Sequence, residues 1–207
     1  MVGRTMVVVG AALVLAVLTS AFGMAQGIDE AIGLFNEGKY EEAERLLRPL
    51  TEDETDNPRA HYYLGLSLLE MDRLEEAESQ LNRASQENLA PDMLKVGQAR
   101  VALKKGETVQ AITLLNEAQG TGSDNADIYH FRGIAKASRQ DYTGAAADLE
   151  KAIMLDPTRA QSHYYAGMVY GRMRRTDLMV NHYQMFLRLA PNSPEASKVQ
   201  SLLRSVR

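Results

Sequence analysis

His61-Tyr62-Tyr63-Leu64-Gly65 returns as His163-Tyr164-Tyr165-Ala166-Gly167, 102 residues further along the chain. That offset is three times 34, and blocks of 34 residues starting at Met24, Pro58, Asp92, Ala126 and Ala160 hold one phase throughout. The eighth position reads Ala31, Gly65, Ala99, Gly133 and Gly167, and the twentieth reads Ala43, Ala77, Ala111, Ala145 and Met179. The twenty-fourth reads Leu47, Leu81, Leu115, Leu149 and Tyr183, and the twenty-seventh reads Leu50, Ala84, Ala118, Ala152 and Phe186. Five blocks with small residues in fixed columns and no insertion mark a repeat architecture, because an accidental helical pattern drifts.

Inside each block the period is helical. Leu64, Leu68 and Met71 fall on one stripe, and Leu74, Ala77, Leu81 and Ala84 on another, so each block predicts a pair of helices. The turns within pairs fall at Gly38-Lys39, Asp72-Arg73, Gly106-Glu107, Gln140-Asp141 and Arg174-Arg175. Those between pairs fall near Pro58, Pro91, Pro157 and Pro191, and the stretch from Gly120 to Asn125 is the loosest joint. Gly or Ala at positions 8 and 20 lets the two helix axes approach, and the Leu column fills the seam between them. Enlarging such a residue, as in Ala77→Leu or Gly133→Leu, is expected to cost about 1 to 3 kcal/mol.

These columns resemble the tetratricopeptide repeat family, whose pattern has Leu-Gly at positions 7 and 8, an aromatic or Leu at 11, Ala at 20, an aromatic at 24, Ala at 27 and Pro at 32. Leu64-Gly65, Ala77 and Ala84 carry it in the second block, and Gly133, Tyr142, Ala145, Ala152 and Asp156-Pro157 in the fourth. Gly167, Tyr170, Tyr183 and Pro191 carry it in the fifth; Gly38, Tyr40, Ala43 and Leu47 carry it in the first, and the third departs at Ala102 and Thr108. In the fifth block Met179 and Phe186 replace both Ala residues, which puts the usual close packing there in question. The resemblance implies an all-α fold: a right-handed α-solenoid of five helix-turn-helix repeats over 24–57, 58–91, 92–125, 126–159 and 160–193. A capping helix over 194–207 is expected to close it, with Ser193 as cap, Pro194 in the first turn, and Ala196, Val199, Leu202, Leu203 and Val206 as its apolar stripe.

In this family the first helices of successive repeats line a concave groove, with positions 2, 5, 9, 12 and 13 pointing inward. Carried onto this chain, the resemblance names Tyr62, Leu66, Leu69, Val96, Arg100, Leu103, Lys104, His130, Ile134, Tyr164, Met168 and Arg172. Such a wall suits a peptide or protein segment, with Tyr62 and Tyr164 as rigid anchors and Arg100, Lys104 and Arg172 taking acidic groups. The alternative for each side chain is packing between neighbouring helices. Family members that clamp a peptide carboxylate use Lys and Asn where this chain has Ile28, Ile32, Tyr62, Tyr63 and Leu66, so that mode of binding is not expected.

The 207 residues carry 23 basic and 27 acidic side chains, a net charge of −4, which gives no bulk attraction to nucleic acid. The charge is uneven, at −10 over 24–91, zero over 92–159 and +5 over 160–207. That gradient reads either as solvated helix faces or as a basis for head-to-tail self-association. The absence of cysteine removes disulfides, thiolate metal sites and cysteine nucleophiles. His61 and His163 share position 4, His130 and His182 stand elsewhere, and no pair has metal-ligand spacing. With neither a phosphate-binding Gly-rich loop nor a Gly-x-Ser-x-Gly elbow, no enzyme activity and no cofactor are expected. The acidic runs Glu41, Glu42, Glu44 and Glu75, Glu76, Glu78 sit at equivalent helix starts, where they favour the helix dipole.

Residues 1–25 form a separate element. Arg4 is their only charge, Met6 to Leu18 is unbroken apolar sequence, and Gly23 and Ala25 occupy the small-residue positions of a signal-peptidase site. Cleavage after Ala25 is expected, giving a periplasmic or secreted protein of bacterial type. The other reading is an uncleaved inner-membrane anchor, since Met6 to Ala25 approaches the roughly 20 residues a bilayer demands.

Overall fold

The computed structural model describes residues 26–52 and 57–206; the expected signal segment and its expected cleavage point lie outside them. Among the described residues every regular element is a helix. The chain divides into two compact units, one running to Leu89 and the other from Ala90. The first holds α1 (26–36), α2 (Tyr40–Glu52), α3 (Pro58–Glu70) and α4 (Leu74–Gln86). The second holds α5 (Pro91–Lys104), α6 (Thr108–Gly120), α7 (Ala126–Ser138), α8 (Tyr142–Leu155), α9 (Ala160–Arg172), α10 (Thr176–Leu189) and α11 (Ala196–Ser205). Within each unit, helices adjacent in sequence pack on one another, and in the second α5 also meets α7 and α7 meets α9. This is the expected all-α fold of tetratricopeptide-like helix pairs.

The packing cause inferred from the columns operates in both units. A Cβ placed on Gly65 would stand 3.1 Å from Leu81 Cγ and 3.2 Å from the Ala77 carbonyl oxygen. On Gly133 it would stand 2.7 Å from Leu149 Cγ and 3.2 Å from the Ala145 oxygen, and on Gly167 2.7 Å from the Tyr183 ring. At these three glycines position 8 is thus pressed onto positions 20 and 24 of its partner helix, and an added side chain has no space. In the fifth pair, Met179 is nevertheless buried, because position 12 is Gly171, whose added Cβ would stand 3.1 Å from the Met179 sulfur. A larger residue on one helix is matched by a missing side chain on the other.

All five turns within pairs close the same way. Gly38, Asp72, Gly106, Gln140 and Arg174, each at position 15, have φ between +58° and +78°. The next N–H reaches five residues back, as in Arg73 N to Leu68 O at 2.9 Å and Arg175 N to Tyr170 O at 2.9 Å, while the position-15 N–H reaches three back. This is the Schellman arrangement, which satisfies carbonyls orphaned at a helix end. Glycine adopts that backbone freely; Gln140 and Arg174 hold it at a steric cost.

The last helix begins at Ala196 with Glu195 at its N-cap and no side-chain cap bond, two residues later than the sequence implies. Ser193 Oγ is buried without a hydrogen-bond partner, while its carbonyl accepts from Ala196 N at 3.0 Å. Val199 joins the core formed by Met179, Tyr183 and Phe186, with Leu203 packed beside it, whereas Leu202 and Val206 are exposed. The helix therefore covers that core with half of its apolar stripe.

Candidate peptide-binding site

The twelve residues expected to face a partner divide by burial. On α3, Tyr62, Leu66 and Leu69 are 3%, 1% and 1% exposed, and the Tyr62 ring meets Tyr63 edge-on at 5.2 Å. They offer a partner almost no surface. In the second unit Val96 and His130 are fully packed, and Arg100 is 8% exposed with its guanidinium 4.8 Å from the Phe131 ring centre. His130 Nδ1 lies 2.9 Å from Ser162 Oγ. Burial, followed by the nearby Arg159 and Arg100 charges, pushes the His130 imidazole down to about 3, so it stays neutral in any ordinary buffer. Leu103 and Tyr164 are half-buried, Tyr164 among Tyr165, Tyr183 and Phe186, and Lys104 is exposed.

The other three meet. Ile134, Met168 and Arg172 line an open cavity of about 150 Å³ with Ala137 and Ser138 of α7, Tyr142 of α8, and Tyr165 and Val169 of α9. The other five are not among the expected twelve: Ala137 and Ser138 occupy columns 12 and 13, and Tyr142, Tyr165 and Val169 lie outside the inward-facing columns. The volume is below the roughly 300 Å³ at which small-molecule sites begin, so it suits one apolar side chain. Met168 is an adaptable lining side chain, and Ser138, Tyr142 and Arg172 bring polar groups to the lining.

Arg172 is the cation of the lining, and further arginines are near it in sequence. Arg139 follows α7, and Arg172, Arg174 and Arg175 cluster at the end of α9; all four are exposed or partly so. Arg175 lies 3.7 Å from Asp177, and Asp141, the acid beside Arg139, is engaged as the cap of α8 with Oδ1 accepting from Gly144 N at 2.9 Å. By contrast, the cations deeper in α7 are consumed internally. Arg132 donates to both oxygens of Asp148 at 2.9 and 2.7 Å and to Asn116 Oδ1 at 2.9 Å, and Lys136 Nζ sits 2.7 Å from Asp148.

The acidic runs at helix starts carry ion pairs. Glu44 accepts from Arg48 and from Arg73 at 2.8 Å, and Arg73 also holds Glu76 at 2.6 Å. Burial opposes ionisation of Glu44, but the hydrogen bonds from Arg48 and Arg73 outweigh it and hold its carboxyl below the usual range. Among the described residues no group of three or more His, Asp or Glu side chains is arranged to hold a metal ion. No helix among them is long and apolar enough to cross a membrane. One constellation was invisible in the sequence: His163 and His182, at positions 4 and 23, come together with Glu150 and Tyr170. The signal that could have found it is the same pair of columns in the second block, where His61 meets Gln80.

Comparison with curated protein sequences finds no match. Among solved structures, TTC0263, a thermophilic TPR protein of Thermus thermophilus, superposes with a TM-score of 0.72 at 19% identity, covering 88% of this chain and 97% of that one. MamA from Desulfovibrio magneticus RS-1 superposes at 0.54 with 19% identity, covering 83% and 97%. YrrB, described as a TPR protein with an unusual peptide-binding site, superposes at 0.54 with 17% identity, covering 84% and 90%. At these identities the likeness is one of fold. Models of the tetratricopeptide repeat match residues 34–96, 96–162 and 161–193. The chain belongs to the tetratricopeptide repeat family, whose members are typically non-catalytic and mediate interactions between proteins.

Proposed function

We propose that this protein is an exported, non-catalytic adaptor whose second unit holds a segment of another protein by seating one apolar side chain in the cavity between α7 and α9. The observation that carries this reading is an apolar cavity of side-chain size lined by Arg172, with Arg139 next in sequence to the lining residue Ser138; neither arginine forms an ion pair among the described residues. An apolar residue flanked by acidic ones complements that surface in shape and charge. The peptide-binding site for which YrrB is described is a precedent on a similar fold. Export rests on residues 1–25, with their single Arg4, apolar run and small residues before Gln26. Retention as a membrane-anchored assembly subunit is the second reading, favoured by the length of the run from Met6 to Ala25.

Two variants test the binding reading. Ala137→Leu fills the cavity and Arg172→Glu inverts its rim. Each is expected to weaken binding of fluorescent acidic-apolar peptides at least about tenfold while circular dichroism stays unchanged. Unaltered binding by both variants sinks the cavity as the site. Mass determination of the mature N-terminus separates export from anchoring: a start at Gln26 supports the first and an intact Met1 the second.

A further inference from the structure

His163 on α9 and His182 on α10 face each other through their Nδ1 atoms at 3.3 Å. The ring centres are 5.5 Å apart, close to that separation plus the two distances from ring centre to nitrogen. The nitrogens therefore lie along the line joining the rings, and their in-plane orbitals point head-on. The other nitrogens are committed. His182 Nε2 lies 3.0 Å from Glu150 Oε1 on α8, and His163 Nε2 lies 3.4 Å from the Pro157 carbonyl oxygen in the α8–α9 connection. Neither oxygen can donate, so both Nε2 atoms must carry hydrogen. If both rings were neutral, their Nδ1 lone pairs would confront each other with nothing between them.

We infer that His163 and His182 together bind one proton beyond their neutral complement, shared along the Nδ1–Nδ1 line and balanced by Glu150, and that this proton fastens the α9–α10 pair to α8. Three ring protons then satisfy four nitrogens: His182 donates from both of its own, and His163 donates from Nε2 and accepts at Nδ1. Tyr170 completes the arrangement, its ring stacked on His182 at 5.4 Å and its hydroxyl donating to Glu150 Oε1 at 2.9 Å. Burial, then the Glu150 carboxylate, pushes that hydroxyl up to about 12, so it stays a donor. The hydrogen bond from His182 holds the Glu150 carboxyl below the usual range against the effect of burial. Burial, together with the neighbouring His182 charge, holds His163 below the ordinary histidine value despite the Pro157 carbonyl, which makes it the neutral partner.

The surrounding charges leave the pair to Glu150. Asp156 and Arg159, beside Pro157, bond each other at 3.3 Å, and on α8 Asp148 is taken by Arg132 and Lys136. Arg175, at the N-cap of α10, acts on Tyr170, and the ionisable groups of α11 and its cap share no hydrogen bond or ion pair with the histidines among the described residues.

The linkage has two signs. Below the ordinary histidine value of about 6.5 an unfolded chain would put a proton on each ring, the folded pair accepts only one extra, and stability falls as the pH falls. On the shared-proton arrangement, whatever stability that proton supplies goes with it when alkali removes it. Because α9 also carries Tyr165, Met168 and Arg172, release of the proton loosens one wall of the cavity; the latch itself does not depend on what the cavity binds.

Long-range proton–nitrogen spectra of the imidazoles in the full chain, between about pH 5 and about pH 9, test this directly. The expected result near pH 7 is one doubly protonated ring, His182, and one ring protonated at Nε2 only, His163. On alkalinisation both change in a single step, with faster amide exchange in α9 and α10. Glu150→Gln, which keeps the shape and removes the balancing charge, is expected to make the pair release its proton about tenfold more readily, one pH unit lower. Two neutral rings at pH 7 in the wild type, or an unchanged titration in Glu150→Gln, overturns the inference. A zinc-dependent rise in melting temperature that His163→Gln abolishes would assign the facing lone pairs to a metal and overturn it equally.

Discussion

The second and fifth helix pairs, α3–α4 and α9–α10, share the same His-Tyr-Tyr in their first helices and close with the same turn, yet they are held differently. In α3–α4, His61 Nδ1 lies 2.7 Å from Gln80 Oε1, joining columns 4 and 23, and His61 Nε2 lies 3.6 Å from Glu87 Oε1. In α9–α10 the same two columns hold His163 and His182. The Glu150 beside them occupies position 25 of the preceding block, where the first block has Arg48. One backbone geometry thus brings together whatever the columns contain. Whether the contact is fixed or titratable depends on three side chains far apart in sequence.

The largest effect should come from the fourth pair, where the same neighbourhood is ionic. Arg132 and Asp148, at positions 7 and 23, have side chains only 8% exposed each. Asp148→Ala would strand the buried guanidinium and is expected to cost about 3 kcal/mol in urea denaturation, with Lys136 unable to replace the lost acceptor. A loss no larger than that of Gln80→Ala would refute the view that this column carries the energetic difference between pairs.

Next in size is the glycine column. Gly133→Ala and Gly167→Ala put a Cβ 2.7 Å from Leu149 and Tyr183, against 3.1 Å from Leu81 at Gly65. The first two should lose about 2 kcal/mol and Gly65→Ala about 1 kcal/mol or less in thermal unfolding. Equal losses at all three would erase the distinction. Gln80→His transplants the fifth pair's histidines into the second, where the nearby carboxylate, Glu87, faces His61 Nε2 and not the introduced ring. With Arg48 in the place of Glu150, no shared proton should form, and the variant should lose roughly 1 kcal/mol below about pH 6.5 with no fall above it. An alkaline loss matching the wild-type α9–α10 pair would show that Glu150 is dispensable. The smallest effect is a gain. Gln140→Gly relieves a side chain at φ +65° and should stabilise by about 0.5 kcal/mol, whereas Gly38 and Gly106 already have that relief.

The fold was legible in the sequence because the contacts that define it are local in the repeat frame. A small residue at position 8 meets position 24 of the same block, and position 15 must turn left-handed for the two helices to fold back, so a 34-residue alignment captures cause and effect together. The binding wall was only half legible. Inward-facing columns can be counted, but column 5 is buried at Ile28, Tyr62, Val96 and His130, and column 9 holds buried Leu66 and Arg100 beside partly exposed Ile134 and Met168, a difference set by each residue's neighbours.

By itself the sequence determined which residues form helices, where the chain reverses, and which columns must stay small, since each follows from spacing within one block. Only the tertiary structure decided that Ile134, Met168 and Arg172 line one cavity and that His163, His182 and Glu150 converge. Those meetings join different helices and different blocks. They depend on differences of an ångström or so in where side chains sit, which no pattern of residue types encodes.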